Sequence, residues 1–486
     1  MVLSKTNFML GLKCPRALWF KINQPATFPP LSESTRAVLN EGNRVGELAR
    51  QLYPDGILLE RDSDPRKMHA ESIKALRLGV PLFESGMLDE RAQLYALPDI
   101  LFPVGENVWD LYEVKSSTSV KPYHPKDVAF QRTVYESAGL RIRNTYLMHV
   151  NPDYVKDGPL DLTQYFVAKN INREVARYLP HIRELVEGMQ NIMSSENPPE
   201  IAAGQSCGDC SMDPICWSDL PPFNVFTLFR GRSVAFDLRS REILKIGDIP
   251  EDYSLNHNHS VQREAIISGQ PQINKGNLKA FLDQIKFPVY FLDFETIAPA
   301  VPIFNGTRPY EAVPVQFSLH TLRNRRYKPD HVSFLADGSI DPRPDILLRL
   351  QKLLGSRGTI LAYFADYEQR CISHMVRSVP EFKQWQSGIT PRFVDLWKPF
   401  GNFDYYHPLQ QGSTSMKKVL PVFSDKTYKG LDIAEGMGAR MEYMRAAFDP
   451  TCTEEEKQQI FRALEEYCGL DTYGMIEILR GLNGIK

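Results

Sequence analysis

Residues 289–296 read Val289-Tyr290-Phe291-Leu292-Asp293-Phe294-Glu295-Thr296. The apolar run Val289 to Leu292 reads as a buried strand, and because successive side chains of a strand alternate, Asp293 and Glu295 project from one face at its end. Two carboxylates so placed can bridge metal ions through oxygen. An α/β pattern therefore begins near Phe287, and it closes in the helical stretch Glu454 to Leu482, opened by the capping-box pair Thr453 and Glu456. On that helix Tyr467 and Asp471, four apart, share a face. Asp471 can complete a metal site begun on the strand, and Tyr467 can orient the attacking water.

Between these elements lies Tyr363-Phe364-Ala365-Asp366-Tyr367-Glu368. In this order the three segments resemble the DnaQ-like DEDDy 3′→5′ exonucleases on the RNase H-like fold, over about residues 285 to 486. The resemblance implies Asp293, Glu295, Glu368 and Asp471 as the metal carboxylates, with Asp366 as the alternative to Glu368. The family's middle motif has Asn where this chain has Phe364, and Asp where it has the longer Glu368. Asp395 stands where such domains often carry an acidic strand residue, with a capping role as the other reading. Lys417 and Lys418, in Ser413-Thr414-Ser415-Met416-Lys417-Lys418, are candidates to hold a strand's phosphates, with a solvated helix start as the other reading, and Arg325 and Arg326 in the basic turn from Arg323 to Lys328 are a candidate strand contact, with plain charged surface as the other reading.

A second acidic set stands upstream. Glu113-Val114-Lys115 puts a carboxylate and an ammonium on one strand face, and Asp99, after Pro98, can reach that face from a neighbouring strand. Gln131 and Tyr135 follow four apart on one helical face. Carboxylates ligate Mg²⁺ or Mn²⁺, and a lysine beside them can position water and balance phosphorane charge. This set resembles the PD-(D/E)xK nucleases, in particular the RecB-like branch that includes the CRISPR-associated and AddB-type iron–sulfur exonucleases, over roughly residues 1 to 220. The resemblance implies Asp99 and Glu113 as metal ligands, Lys115 as the catalytic lysine, and Gln131 and Tyr135 as supports for the site and the DNA strand. Members of that branch often place a metal-binding His where this chain has Gly46. Glu47 is the first candidate for the missing ligand and Glu41 the second.

Cys207, Cys210 and Cys216 form a C-x2-C-x5-C segment in a loop containing Gly and Pro. Three thiolates can converge there, and the iron–sulfur branch supplies the fourth from one cysteine before the nuclease core, here Cys14. The resemblance implies a 4Fe-4S cluster, with structural Zn²⁺ as the alternative. Either centre closes a loop of about 190 residues and restricts the unfolded chain.

At 486 residues, with 43% apolar and 24% charged residues, the chain has an ordinary globular composition and enough length for two domains. The expected division is 1–220 for the first nuclease domain, 221–284 for a connector or small subdomain, and 285–486 for the second. In the first, helices are expected near Asn7 to Phe20, Thr35 to Leu52 and Asn172 to Met193, with strands at Asp110 to Val114 and Thr145 to Val150. A formal charge of −2 makes any phosphate-binding surface local. Seven cysteines without an export signal or membrane span point to a reducing cytoplasm. The sequence reads as an α/β fusion of two metal-dependent nucleases acting on DNA, single-stranded or with free ends. RNA is the alternative polymer, and a binding scaffold with one or both sites inactive is the alternative class.

Overall fold

The computed structural model describes residues 1–486 apart from 202, 203, 205, 206, 208, 209, 211, 325–327, 434 and 486. Two mixed α/β units result: Met1–Cys216 with Pro299–Glu311, and Trp217–Ala298 with Ala312–Lys486. The stretch 221–284 folds with the second unit, and residues 299–311 fold with the first. Among the described residues no helix is long and apolar enough to cross a membrane.

In the first unit the helical stretch expected around Asn7 to Phe20 is two helices, α1 (Lys5–Lys13) and α2 (Pro15–Asn23). The break is at Cys14, because the residue before a proline is pushed out of the helical region. Cys14 is extended (φ −158°, ψ 111°) and its sulfur caps α2, accepting from the Ala17 amide at 3.4 Å. Helix α3 (Glu33–Arg50) follows. A six-stranded sheet then runs in the order β1 (Ile57–Leu58), β2 (Leu82–Phe83), β3 (Ile100–Gly105), β4 (Val108–Lys115), β5 (Arg141–Val150), β6 (Phe166–Asn170). Strands β2, β3 and β4 are an antiparallel meander, whereas β5 is parallel to β4. A parallel pair needs a crossover, and α4 (His124–Ser137) supplies it. The helix expected over Asn172 to Met193 divides into Asn172–Ala176 and α5 (Leu179–Ser194), with Pro180 in the first turn of the latter.

The core of this unit gathers Leu101, Leu111 and Leu147 from the sheet with Phe130 and Val134 of α4 and Phe8 of α1. Phe8 and Phe130 stack with centroids 4.5 Å apart. A second cluster joins Val45 and Ala49 of α3 to Phe83, Ile100, Val114 and Met148, with Ala300 and Val301.

In the second unit a five-stranded sheet has the order β9 (Asp330–Leu335), β8 (Val313–Leu322), β7 (Val289–Ile297), β10 (Thr359–Ala362), β11 (Phe393–Asp395). Strands β7, β8 and β9 are antiparallel neighbours, and β10 and β11 run parallel to β7. Helix α6 (Ala365–Ser378) packs Ile372 and Met375 against Leu292, Phe317 and Ile360 of the sheet. Helices α7 (Met416–Phe423), α8 (Gly436–Phe448) and α9 (Glu454–Gly484) follow. The capping box at the start of α9 is present: the Glu456 amide donates to Thr453 Oγ1 at 3.2 Å and the Thr453 amide to Glu456 Oε2 at 2.9 Å. The buried residues Ile460, Leu464, Tyr467, Asp471, Met475, Ile478 and Leu482 recur every three or four positions, which seats both motif residues on the buried face of α9.

Candidate metal centres

Strand β7 carries Asp293 opposite Ser318 and Glu295 opposite Gln316, and its register shifts immediately after Glu295. The extra residue at this shift is Val315 of β8, between Gln316 and Pro314, directly beside the strand end that carries the two carboxylates. One oxygen each from Asp293, Glu295 and Asp471 lies within 4.8 Å of the others. Glu368, in the first turn of α6, is buried, and its Oε2 has no hydrogen-bond partner among the described residues. Asp366, on the same turn, is exposed. The geometry therefore brings Glu368, rather than Asp366, to the buried acidic set.

These carboxylates strain against one another. Burial, then Asp471, Glu368 and Glu295, push Asp293 well above the usual carboxylate range. Burial and Glu295 do the same to Glu368. Burial and Asp471 raise Glu295 to about 8, and burial raises Asp471 to about 7, with Lys417 acting in the opposite sense on both. Two unit charges 4 Å apart repel by roughly 4 kcal/mol at an effective dielectric of about 20, so carboxylates held this close call for protons or cations.

Side chains around the cluster hold its geometry. Tyr428 donates its hydroxyl to Asp471 Oδ1 at 2.5 Å, and Cys468 donates its thiol to Asp293 Oδ2 at 3.6 Å. Lys417 Nζ lies over the rings of Tyr428 and Tyr467, 5.5 and 5.3 Å from their centroids. Burial and Asp471 keep the Tyr467 hydroxyl protonated far above its ordinary value. Lys418 donates to Gln411 Oε1 at 3.3 Å. Arg325 and Arg326 lie outside the described residues. Asp395 is a turn-former: its Oδ1 accepts from the amides of Phe364 and Trp397, both at 3.0 Å.

In the first unit Ile100 pairs with Tyr112, which sets Asp99 across from Glu113. Asp99 Oδ2 accepts from the Val114 amide at 2.6 Å. Glu113 is buried and saturated by donors. Lys5 Nζ reaches its two oxygens at 2.9 and 3.2 Å, Lys115 Nζ reaches Oε1 at 2.5 Å, and Gln131 Nε2 reaches Oε2 at 2.8 Å. Asp127, a turn before Gln131 on α4, accepts from Lys115 at 3.0 Å and from Gln131 at 3.0 Å. Burial opposes the charged form of Glu113, but Lys115 and Lys5 outweigh it and hold this carboxyl far below its usual range. Burial and Glu113 push Asp99 the other way, to about 7. Lys115 is held well above its ordinary value by Glu113, Asp127 and Asp99 against the effect of burial.

Other residues expected at this site stand elsewhere. Tyr135 is fully buried in the core of the first unit and its hydroxyl bonds to Ser85. Glu47 is exposed on α3. Glu41 Oε1 accepts from the Ala300 amide at 2.6 Å. A Cβ added at Gly46 would meet nothing within 4 Å, so a larger side chain there has room.

The cysteines of the first unit share a neighbourhood. Cys14, Cys210 and Cys216 pack against Ala17, Trp19, Phe20 and Met212. The Cys216 thiol is raised by burial and by Cys14, Cys210 and Cys207, against the pull of Arg16. Amides of Ala17 and Gly204 donate to the sulfurs of Cys14 and Cys207 at 3.4 and 3.3 Å. The only His, Cys, Asp or Glu trio drawn within 4.8 Å among the described residues is the Asp293 set.

The family model described as Domain of unknown function (DUF2779) matches residues 290–415, from the β7 carboxylates through α6 to the loop before α7. Comparison with curated proteins gives no match.

Proposed function

We propose that this chain is a metal-dependent nuclease with two sites, a 3′→5′ exonuclease site in the second unit and a RecB-like PD-(D/E)xK site in the first, acting on single-stranded DNA or DNA ends. The observation that carries the reading is the acidic set of half-buried Asp293 and Glu295 with buried Glu368 and Asp471, in which Lys417 acts on Glu295 and Asp471 and Glu368 Oε2 has no donor among the described residues. Strand order β9-β8-β7-β10-β11, with β8 antiparallel to β7 and β10 parallel to it, supports an RNase H-like fold. The meander β2 to β4 followed by the α4 crossover to β5 supports a PD-(D/E)xK core in the first unit.

Mg²⁺ or Mn²⁺ held by Asp293, Glu295, Glu368 and Asp471 would supply an activated water and charge stabilisation for phosphodiester hydrolysis. The chain's own residues do the positioning. Tyr428 fixes Asp471, Cys468 fixes Asp293, and the protonated Tyr467 hydroxyl offers a hydrogen bond that can orient water. Lys417 brings a positive charge to the cluster, where a phosphate approaching four carboxylates needs one. In the first unit Asp99 and Glu113 would hold a divalent ion and Lys115 would position water. Cys14, Cys207, Cys210 and Cys216 would hold a 4Fe-4S cluster in the same unit.

A second reading applies to the first unit alone. Lys5 already neutralises Glu113, and no side chain at position 46 adds a ligand, which favours a weakly metallated or purely binding site there. Matched DNA and RNA oligomers incubated with the full chain and Mn²⁺ test the proposal: faster release of nucleotides from DNA is expected. Turnover of RNA alone would reassign the substrate, and binding without turnover of either would support the scaffold.

A further inference from the structure

Phe364 combines three properties that a packing residue does not need. Its backbone is left-handed (φ 69°, ψ 54°), a conformation that favours Gly or Asn and penalises a bulky side chain. The residue is 46% exposed. Its ring is nonetheless held in place, stacked on Trp397 with centroids 5.3 Å apart and planes 30° apart. The strain is maintained by Asp395, whose Oδ1 takes the amides of both Phe364 and Trp397. Trp397 is fixed in turn by its indole N–H on Thr414 Oγ1 at 2.9 Å, and Tyr363 donates to the Thr414 carbonyl at 2.6 Å. Strained backbone over-determined by its surroundings is characteristic of a working surface.

The position of this surface says what it would meet. Phe364 caps the helix whose first turn carries Glu368, and Thr414, which anchors Trp397, is three residues before Lys417, the cation acting on Glu295 and Asp471. An aromatic face, a lysine and a buried acidic cluster are thus tied together through Thr414 and α6. A rigid aromatic plate beside a cation is how proteins take up single strands, because every base offers a π-face.

We propose that Phe364, backed by Trp397, is the platform on which the unpaired terminal base of a single-stranded nucleic acid stacks while its last phosphodiester enters the Asp293 cluster. This deepens the nuclease reading above and rests on it. The platform makes the required substrate an unstacked end, because a terminal base pair would have to open before its base could lie on Phe364.

The test uses the full chain and a DNA 20-mer carrying 2-aminopurine at its 3′ end behind a phosphorothioate linkage, compared with the same strand ending in an abasic residue. Phe364→Asn removes the ring while keeping a residue that tolerates the left-handed backbone, and Phe364→Tyr restores an aromatic. Wild type and Phe364→Tyr should quench the terminal 2-aminopurine on binding. Phe364→Asn should lose the quench and bind the base-bearing strand about tenfold more weakly, the scale of one base–aromatic stack, while binding the abasic strand as wild type does. Equal weakening towards both strands, or an undiminished quench in Phe364→Asn, would overturn the platform. Cleavage of unmodified DNA by the same preparations separates the two ideas: if wild type cuts and the platform test fails, only the platform falls, whereas a wild type that neither binds nor cuts removes the nuclease reading and the platform with it.

Discussion

Lys5 Nζ lies 2.9 Å from Glu113 Oε1 and 3.2 Å from Oε2, a two-oxygen contact from the first turn of α1 to the middle of the first unit's acidic site. Together with Lys115 it gives the first site two cations for Asp99, Glu113 and Asp127, whereas in the second site Lys417 acts on Glu295 and Asp471. The two sites thus differ in how much positive charge they still require. On the proposed nuclease reading, the second site would take divalent ions more strongly than the first.

Removing the Lys5 charge should therefore open the first site to metal. In an Asp293→Ala background, which disables the second site, Lys5→Met is expected to tighten Mn²⁺ binding about tenfold by isothermal titration calorimetry. Lys5→Arg, which keeps the charge, should leave it weak. Equal affinity in all three proteins would show that Lys5 does not limit metallation.

Gly46 sits inside α3 with open space where a Cβ would be. Gly46→Ala should stabilise the first unit by about 0.5–1 kcal/mol, the usual cost of glycine within a helix, measured by chemical denaturation. Gly46→His should be tolerated equally well, and it should tighten Mn²⁺ binding if the position faces the metal. Destabilisation by alanine would mean that the helix is not packed as described.

The second site should make metal-free protein sensitive to pH. Glu295 and Asp471 have folded values raised to about 8 and about 7, above the roughly 4 of an unfolded carboxyl, so the folded state binds more protons between these limits. Stability of the metal-free form should fall as pH rises from about 4 to about 8, because the unfolded state then holds fewer protons than the native. Thermal unfolding in EDTA checks this. Asp293→Asn should raise the midpoint at pH 8 and change it little at pH 4, and excess Mn²⁺ should remove the difference.

The cysteine centre makes a spectroscopic prediction. Anaerobically purified protein should be brown, with absorption near 400 nm that bleaches on reduction. Cys14→Ser should lose the colour and lower the unfolding temperature of the first unit, because the loop of about 190 residues is no longer closed. A colourless protein with stoichiometric zinc would contradict the cluster.

Much of the second site was legible because its residues sit in local patterns with fixed periods: Asp293 and Glu295 at a strand end and Tyr467 and Asp471 one helical turn apart, while Glu368, with Asp366 as its alternative, came only from the family resemblance. Tyr428 and Cys468 were not, since nothing in their neighbourhoods of sequence marks a tyrosine or a thiol that will reach a carboxylate only after folding. In the first unit Asp99, Glu113, Lys115 and Gln131 lie together as their strand and helix periods imply. Lys5 is more than one hundred positions from Glu113, a contact no period encodes. Asp127 stands one turn before Gln131 and was open to the same argument that selected Gln131 and Tyr135. Tyr135, one turn further along that face, is buried with its hydroxyl on Ser85, and the four-residue spacing that aligns it with Gln131 does not say which partner it meets. The break at Cys14 could be read from Pro15, which excludes a continuous helix and turns the sulfur onto the start of α2.

The central claim is that two metal sites on this chain cut nucleic acid, the stronger being the Asp293 cluster. Its most direct test is the product ladder from 5′-labelled single-stranded DNA with Mg²⁺ and with Mn²⁺, for the intact protein beside Asp293→Ala and Lys115→Ala. A stepwise ladder that disappears in Asp293→Ala and persists in Lys115→Ala is the predicted result, with any residual cuts in Asp293→Ala lost when Lys115 is also replaced. A ladder unchanged by Asp293→Ala would contradict the account.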